Sequence, residues 1–192
     1  MQIFLRGKDE PDNDVSEIVA NWQEFWSQYG YQINPSGIII SARREGFNRL
    51  LVIPQGLTNN KAYELCAKQF ACWRYMDDLD KIQNDRNPDA ETYTVWVRDR
   101  LEADEELKNL SANQIAKKRI SGITLLEREV YELKYYSETK EHLDRQNWTL
   151  GCGSRDPGGS VPNASWRDDE FKVSWSIPVD ASDRLRCREV VS

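Results

Sequence analysis

The four cysteines are the residues of this sequence best able to act as nucleophiles, and none of them forms a CxxC pair. Two of the four, Cys152 and Cys187, lie in an arginine-rich part of the chain. A nearby positive charge favours the thiolate, which is the reactive form of cysteine. Cys152 and Cys187 could therefore form a redox or nucleophilic pair. The alternative interpretation is two small, buried thiols on neighbouring strands.

Metal binding has little support in the sequence. His142 is the only histidine of the chain, which excludes a histidine-rich metal site. The acidic stretches 77–80 and 168–170 lack the spacing of an EF-hand loop, and solvated acidic surface is the preferred interpretation for both. We therefore expect neither a metal ion nor a cofactor.

Two short motifs resemble catalytic signatures but stand in the wrong context. Tyr75-Met76-Asp77-Asp78 matches the metal-binding residues of reverse transcriptases, which require a hairpin turn to hold their two metal ions. Here the motif ends a helical pattern. The glycine-rich run 151–159 lacks the lysine and the following helix of a phosphate-binding loop. Neither motif predicts an enzyme.

The elements that must position these residues are mainly helical in the first three quarters of the chain. Apolar residues spaced by three and four predict helices, and capping boxes mark two of the helix starts, at Asp14 with Glu17 and at Thr124 with Glu127. The predicted helices cover residues 14–30, 58–76, 91–107, 111–118 and 124–136. Two short strands, 37–41 and 49–53, are expected to form a β-hairpin.

The composition changes at about residue 148, where Gly, Ser, Asp, Arg, Pro and Trp replace the helix formers. The alternation of apolar and polar residues in 171–176 predicts a half-buried strand. Residues 148–150 and 185–191 are also expected to be strands, and 151–169 and 177–184 to be loops. The chain is thus predicted to have an α+β fold with a loop-rich antiparallel β region at its C-terminal end.

Charge and hydropathy exclude several classes of protein. The 192 residues carry a net charge of −6 and no basic block, which argues against general nucleic-acid binding. No apolar run approaches the roughly 20 residues of a membrane span, and the first residues lack the apolar core of a signal peptide. We expect a cytoplasmic or virion-associated protein of undetermined oligomeric state.

Four ordered motifs in the tail carry a resemblance to a known family. They are Trp148-Thr-Leu-Gly-Cys-Gly-Ser-Arg155, Gly159-x-Val161-Pro162-x-x-x-Trp166, Val173-x-Trp175 and Leu185-Arg186-x-Arg188-x-Val190-Val191-Ser192. Together they resemble the C-terminal region of the variable proteins of diversity-generating retroelements, of the type found in archaea, their viruses and small-genome bacteria. The patterns at 93–107 and 122–136 are also similar to that group.

The resemblance implies a C-type lectin fold of the kind shared with formylglycine-generating enzymes. It implies a single domain over 13–192 after a flexible segment at 1–12. That domain has a helical body with a β-hairpin at 13–147 and a variable ligand-binding region at 148–192. In the family, a reverse transcriptase copies a template repeat with errors at adenines. The copy then replaces the segment that encodes the tail.

The residue content of the tail agrees with that process. Family templates favour AAC and AAT codons, and errors at both adenines give NNY codons, which never encode Lys, Gln, Glu, Met or Trp. Residues 148–192 contain no Gln, no Met and one Lys, whereas residues 1–147 contain nine Gln and nine Lys. Loops and strands also disfavour helix formers, so both explanations stay open.

The resemblance divides the tail into scaffold and ligand-contacting positions. The expected scaffold residues are Trp148, Gly153, Arg155, Gly159, Trp166, Trp175, Arg186 and Arg188, with Val173, Leu185, Val190 and Val191 in the core. The arginines would hold loop carbonyls and acids, because a guanidinium offers five donors in a fixed fork. The expected ligand-contacting positions are Asp156, Pro157, Gly158, Ser160, Asn163, Ser165, Arg167, Asp168, Ser174, Ser176, Ile177, Val179, Ser182, Asp183 and Arg184.

We therefore expect a non-enzymatic, receptor-like protein that binds another protein or a surface through its diversified tail. The polar composition of that face suits adaptable binding, and its small number of aromatic anchors predicts modest affinity for any single target. Three alternatives remain: a thiol oxidase of the formylglycine-generating type using Cys152 and Cys187 with copper, a carbohydrate-binding lectin, and a structural module whose tail is an oligomer interface.

Overall fold

The protein has a mixed α+β fold, seen in a computed structural model of the chain. The structure describes residues 4–5 and 13–192, with side chains from residue 14 onward. The flexible segment expected at 1–12 therefore falls outside the described residues, apart from the two residues of a short strand. The chain separates into two compact units.

Four α-helices and eleven β-strands make up the described part of the chain. The helices are α1 (Asn13–Ser27), α2 (Asn59–Ala67), α3 (Ala112–Lys117) and α4 (Leu125–Thr139). The strands are β1 (Phe4–Leu5), β2 (Ile39–Ile40), β3 (Arg49–Ile53), β4 (Cys72–Arg74), β5 (Gln83–Asn84), β6 (Tyr93–Val97), β7 (Trp148–Leu150), β8 (Ser154–Arg155), β9 (Val161–Arg167), β10 (Glu170–Ser176) and β11 (Leu185–Cys187).

The first unit comprises residues 1–57, 88–99 and 190–192. Its core lies between α1 and the antiparallel pair β3–β6. The indole N–H groups of Trp22 and Trp26 donate to the carbonyls of Leu50 and Val52, at 3.0 and 2.9 Å. These bonds satisfy the polar edge of two buried indoles. The aromatic residues whose spacing predicts α1 are therefore the residues that pack this helix against the strands. Asp14, expected to cap the helix, lies inside its first turn.

The second unit comprises residues 58–87 and 100–189. Its five-stranded sheet has the order β11-β7-β9-β10-β4. The capping boxes at Ser111 and at Thr124 with Glu127 are both present and start α3 and α4, so the sequence predicts these two helices correctly. Leu125 to Lys134 of α4 are buried throughout.

Two predictions for the body of the chain are wrong. The expected hairpin between 37–41 and 49–53 does not form, because β2 pairs with β1 and β3 pairs with β6. The expected helix at 91–107 is the strand β6 followed by irregular chain and a short 3₁₀ turn. Tyr93-Thr-Val-Trp-Val97 is β-branched and aromatic, and such residues favour a strand once a partner is available.

The predicted second helix is correct at its start and too long at its end. Thr58 caps α2 as expected, with its side chain accepting from the backbone N–H of Lys61. The helix ends at Ala67, and the chain then enters the strand β4, which pairs with β10 in parallel. Residues 68–76, which the sequence predicts as helical, therefore lie outside that helix.

The tail is more regular than expected. Strands β7 and β10 lie where the sequence predicts them, but residues 161–167, expected to be loop, form β9 at the centre of the sheet. Pro162 and the polar residues of this strand interrupt the alternation of apolar and polar residues from which a strand is predicted. The sheet is mixed rather than antiparallel, since both β11–β7 and β10–β4 are parallel pairs.

Candidate ligand-binding site

One end of the five-stranded sheet gathers several of the expected ligand-contacting positions. Strands β9 and β10 are antiparallel with Val161 opposite Ser176, so the loop before β9 and the loop after β10 leave the sheet at the same end. Because β4 runs parallel to β10, Tyr75 reaches this end too, and its N–H donates to the carbonyl of Val173 at 3.0 Å. We call Tyr75, 156–160 and 174–179 the tip.

The tip carries three exposed apolar side chains. Trp175, Ile177 and Val179 are 50%, 46% and 65% exposed. Single exposed apolar residues are ordinary on a protein surface, whereas a group of large ones indicates an interaction site. The structure therefore places an aromatic side chain on the candidate surface, where the sequence predicted almost none.

The exposure of Trp175 corrects its expected role in the core. The period of two puts Trp175 in phase with Phe171 and Val173, both of which are fully buried. Strand β4, however, pairs with β10 only as far as Val173. Beyond that residue β10 is the outermost strand of the sheet, and Trp175 lies in this outermost part.

Asp156 shapes the loop of the tip rather than pointing freely at a ligand. One oxygen of its carboxylate accepts from the N–H groups of Gly158 and Ser160, both at 2.9 Å. The other oxygen accepts from the hydroxyl of Tyr75 at 3.1 Å. Gly159 has a φ of +83°, a backbone conformation open to glycine at no steric cost. The loop is therefore fixed from within, as a rigid binding loop requires.

Three expected ligand-contacting residues are buried and cannot touch a ligand. Asn163, Ser165 and Ser176 are at most 6% exposed. Asn163 donates from Nδ2 to Oγ of Ser176 at 3.0 Å, which compensates the polar atoms for their burial. These positions do lie on the sheet face opposite Phe171 and Val173, as period two requires, but that face is covered. They belong to the scaffold.

Five other expected positions lie away from the tip. Asp168 and Asp169 form the two-residue turn of the β9–β10 hairpin, with φ of +52° and +58°, the pattern of a type I′ turn. This turn lies at the opposite end of the strands from the tip. Arg167, Ser182, Asp183 and Arg184 also lie toward that end, because β11 begins beside Trp148. The expected ligand surface is thus divided between two ends of the sheet.

The segment 177–184, which joins the two ends, is held by backbone hydrogen bonds. The carbonyl of Pro178 accepts from Asn113 at 3.1 Å, and the carbonyl of Ser182 accepts from Asn109 at 3.3 Å. The N–H of Ile177 donates to the carboxylate of Asp180 at 3.2 Å. These bonds fix the chain on either side of Val179 while its side chain stays exposed.

Two of the three tail tryptophans do pack as scaffold. The ring of Trp166 stacks on the imidazole of His142 and meets Phe70 edge to face, with ring centroids 3.3 and 5.9 Å apart. Trp148 packs against the cluster of Leu150 and Leu185. The guanidinium of Arg167 lies over the Trp148 ring, 4.9 Å from its centroid.

The three tail arginines contact backbone carbonyls and acidic side chains. Arg155 donates to the carbonyls of Cys152 and Ser154, and Arg186 donates to the carbonyl of Asp183 and pairs with Glu105. Arg188 is 1% exposed and is the most enclosed of the three. It donates to the carbonyls of Arg100 and Leu101, at 2.9 and 3.0 Å.

Arg188 is also part of a buried ionic network. Its Nη2 lies 2.7 Å from one carboxylate oxygen of Asp144, and Nε of Arg128 lies 2.9 Å from the other. Arg128 also pairs with Glu132 at 2.8 Å, and Glu132 contacts Nδ1 of His142 at 2.8 Å. Buried charges need partners of this kind, although Nη2 of Arg128 has no hydrogen-bond partner among the described residues. The network joins α4, the chain before β7 and the chain after β11.

Glu129 differs from these groups because neither of its carboxyl oxygens has a hydrogen-bond partner among the described residues. The residue is fully buried on α4. Burial, reinforced by the negative charge of Asp80, raises the pKa of the Glu129 carboxyl well above its usual value. The raised pKa favours the protonated, neutral form of the group, since an unpaired buried carboxylate is very costly.

Glu129→Gln is expected to weaken the pH dependence of stability. Since the folded-state pKa is raised, the unfolded chain ionises first as the pH rises above about 4.3. The free energy of unfolding then falls by about 1.4 kcal/mol per pH unit until the folded-state pKa is reached. Urea unfolding between about pH 5 and pH 7 should show this fall in the wild type and a smaller one in the variant. Parallel slopes for the two proteins would contradict a neutral Glu129.

Within residues 4–5 and 13–192 there is no group of three or more His, Cys, Asp or Glu side chains arranged to hold a metal ion. No helix over the same residues is long and apolar enough to cross a bilayer. The thiol pKa of Cys187 is raised by burial, and further by a hydrogen bond with Cys152.

No protein-family model, curated protein or solved structure matches this chain. The C-type lectin fold and the retroelement family therefore remain predictions from the tail motifs. The mixed α+β architecture is established by the structure.

Sequence reasoning missed Tyr75 as a residue of the candidate site. The motif that contains Tyr75 resembles a polymerase signature, and the local pattern offers no sign that Tyr75 meets Asp156, which lies 81 residues away. The contact follows from the parallel pairing of β4 with β10, and only a prediction of that pairing could have found it.

Proposed function

We propose that this protein binds a protein ligand through the tip, and that a retroelement diversifies the residues around a fixed aromatic anchor. The observation that carries the proposal is the exposure of Trp175 beside Ile177 and Val179 on backbone held by hydrogen bonds. Tryptophan is among the residues that most often dominate the binding energy of protein interfaces. No catalytic step is part of this function.

Trp175 and its neighbours in the tip would have different roles in binding. An NNY codon cannot encode tryptophan, so under diversification Trp175 would be constant in every variant of the protein. Ile177 and Val179 are compatible with NNY codons and stand on either side of Pro178. A constant tryptophan would then provide affinity, while its varied neighbours would select the ligand.

The polar part of the tip supports the same division. Pro157 and Gly158 are exposed at the end of the 156–160 loop, and Ser160 and Ser174 are half-buried. These four residues are small and not fully buried, so they can be substituted without disturbing the core. The internal hydrogen bonds of Asp156 keep the loop in one conformation, which lowers the entropic cost of binding.

A photo-crosslinking amino acid at Val179 should capture the ligand from an extract of the natural host. The captured protein is then purified and its Kd measured against the wild type and Trp175→Ala. We expect the variant to bind about 30-fold more weakly or worse, because a buried tryptophan anchor contributes about 2 kcal/mol or more.

Glu141→Gln is the control. Glu141 is exposed, and its ion pair among the described residues is with the exposed Arg145. Its Kd should equal that of the wild type. Equal affinity of Trp175→Ala and the wild type for the captured protein would remove the tip from the proposed function. If both variants bound the captured protein with the same altered Kd, the change in affinity would reflect a general effect of charge or folding and would not support the tip as the binding site.

A further inference from the structure

Cys152 and Cys187 are brought together in the second unit. Cys187 belongs to a buried apolar cluster with Leu107 and Ile115, and Cys152 packs against that cluster. Both thiols are free. Cys187 is fully buried, whereas Cys152 is partly accessible.

Gly122 lies between the two chain segments that carry these cysteines. Gly122 bridges to Glu189, and the next residue donates from its N–H to the carbonyl of Arg188 at 2.9 Å. On the other side, the N–H of Gly153 donates to the carbonyl of Ile123 at 3.1 Å. The segments that carry Cys187 and Cys152 therefore flank the same two residues.

The lack of a side chain at Gly122 leaves room for the two cysteines to meet. A methyl group built on Gly122 would lie 2.5 Å from Cβ of Cys152 and 2.8 Å from Sγ of Cys187. Two atoms that both lie this close to one point are themselves neighbours. The hydrogen bond between the two thiols also places their sulfur atoms side by side, and rotation about the two Cα–Cβ bonds can turn these sulfur atoms toward each other, as a disulfide requires.

We propose that Cys152 and Cys187 form a reversible disulfide, with Cys152 as the site of oxidation and Cys187 as the resolving thiol. The accessible Cys152 reacts with a peroxide, and the buried Cys187 then closes the bond. This modification is independent of ligand binding by the tip. Because Arg155 bonds the carbonyl of Cys152 at 2.9 Å, a fixed positive charge lies near the residue that must become a thiolate.

The chemistry balances with hydrogen peroxide as the two-electron oxidant. The Cys152 thiolate attacks one peroxide oxygen, the O–O bond breaks, and the released hydroxide takes up a proton to form water. This step leaves Cys152 as a sulfenic acid. The sulfur of Cys187 then attacks the sulfenic sulfur, the S–O bond breaks, and the thiol proton leaves with the hydroxyl group as a second water. Two thiols have become one disulfide.

The surroundings favour the disulfide as the end product. It is neutral, and the cluster around Cys187 is apolar, so no buried charge remains after the bond forms. The same burial raises the pKa of Cys187, which makes that thiol a poor first target for the oxidant. The bond would tether the chain four residues before Asp156, where the loop of the tip begins.

The full chain treated with hydrogen peroxide should lose two hydrogens in intact mass and give a Cys152–Cys187 cross-linked peptide. Its Tm should rise by roughly 5–10 °C, because the bond closes a long loop of the chain, and dithiothreitol should reverse the shift. In Cys187→Ser, Cys152 should stop at the sulfenic acid and react with dimedone. Cys152→Ser should form neither product at this site.

Cys72→Ser is the matched control, since Cys72 is another partly accessible cysteine in the same unit. This variant should form the Cys152–Cys187 bond as the wild type does. A wild type in which Cys152 ends as a sulfinic acid or stays a thiol would overturn the proposal. So would a cross-link that joins Cys66 to Cys72 instead. Peptide mapping of the oxidised wild type, which locates the cross-link or the oxidised cysteine, decides these outcomes even if a variant fails to fold.

Discussion

Asp144→Asn is expected to lower the free energy of unfolding by about 3–5 kcal/mol. The Asp144 carboxylate lies between the guanidinium groups of Arg128 and Arg188, at 2.9 and 2.7 Å, and also accepts from the N–H of Ala103 at 2.8 Å. Asparagine keeps the size of the side chain and suits the φ of +56° at this position. The loss therefore reflects the missing charge between two buried arginines. Urea unfolding measures it.

The exposed ion pair of Glu141 and Arg145, only a few residues away along the chain, provides the control for Asp144→Asn. These side chains are 60% and 56% exposed, and such pairs contribute about 0–1 kcal/mol. Glu141→Gln should therefore change stability little. If Asp144→Asn were as mild as Glu141→Gln, the network would not be what holds α4 to the chains around β7 and β11.

Trp26→Ala is expected to cost about 3–5 kcal/mol of stability, whereas Trp175→Ala should cost less than about 1 kcal/mol. Trp26 is fully buried and donates to the carbonyl of Val52. Its ring also packs against Trp22 and Phe25. Trp175 is half exposed and has none of these contacts described for it. Thermal unfolding of the two variants measures the difference.

The comparison decides between scaffold and binding surface for Trp175. A loss for Trp175→Ala as large as that for Trp26→Ala would return Trp175 to the core, as its phase along β10 first indicates. A small loss leaves the exposed indole with no role in stability, and a residue so costly to expose is then best explained by binding.

Local signals in the sequence predicted the elements that begin with a strong cap. Ser111, and Thr124 with Glu127, start α3 and α4 because their side chains satisfy the free N–H groups of the first turn. The same reasoning failed at 93–97. The spacing of Tyr93, Trp96 and Val97 fits a helix as well as a strand, and only the partner β3 decides between them.

The candidate site was predicted in part, for a similar reason. The period of two gave the correct faces of β10, but burial depends on neighbours that the pattern does not contain. Ser176 is buried, whereas Trp175, which lies beyond the end of β4, is half exposed. Likewise, Arg188 was expected to hold carbonyls and acids, but nothing local identifies Asp144, 44 residues earlier, as its partner.

Sequencing the DNA on both sides of the gene tests the central proposal most directly. We expect a near-copy of the segment that encodes roughly residues 151–192, with a reverse-transcriptase gene beside it. The two copies should differ only where the near-copy carries adenine, and the altered codons should include those of Ile177 and Val179 but not that of Trp175. The absence of a near-copy at several homologous loci, or differences at the codons of buried residues such as Val173 and Leu185, would contradict diversification of the tip.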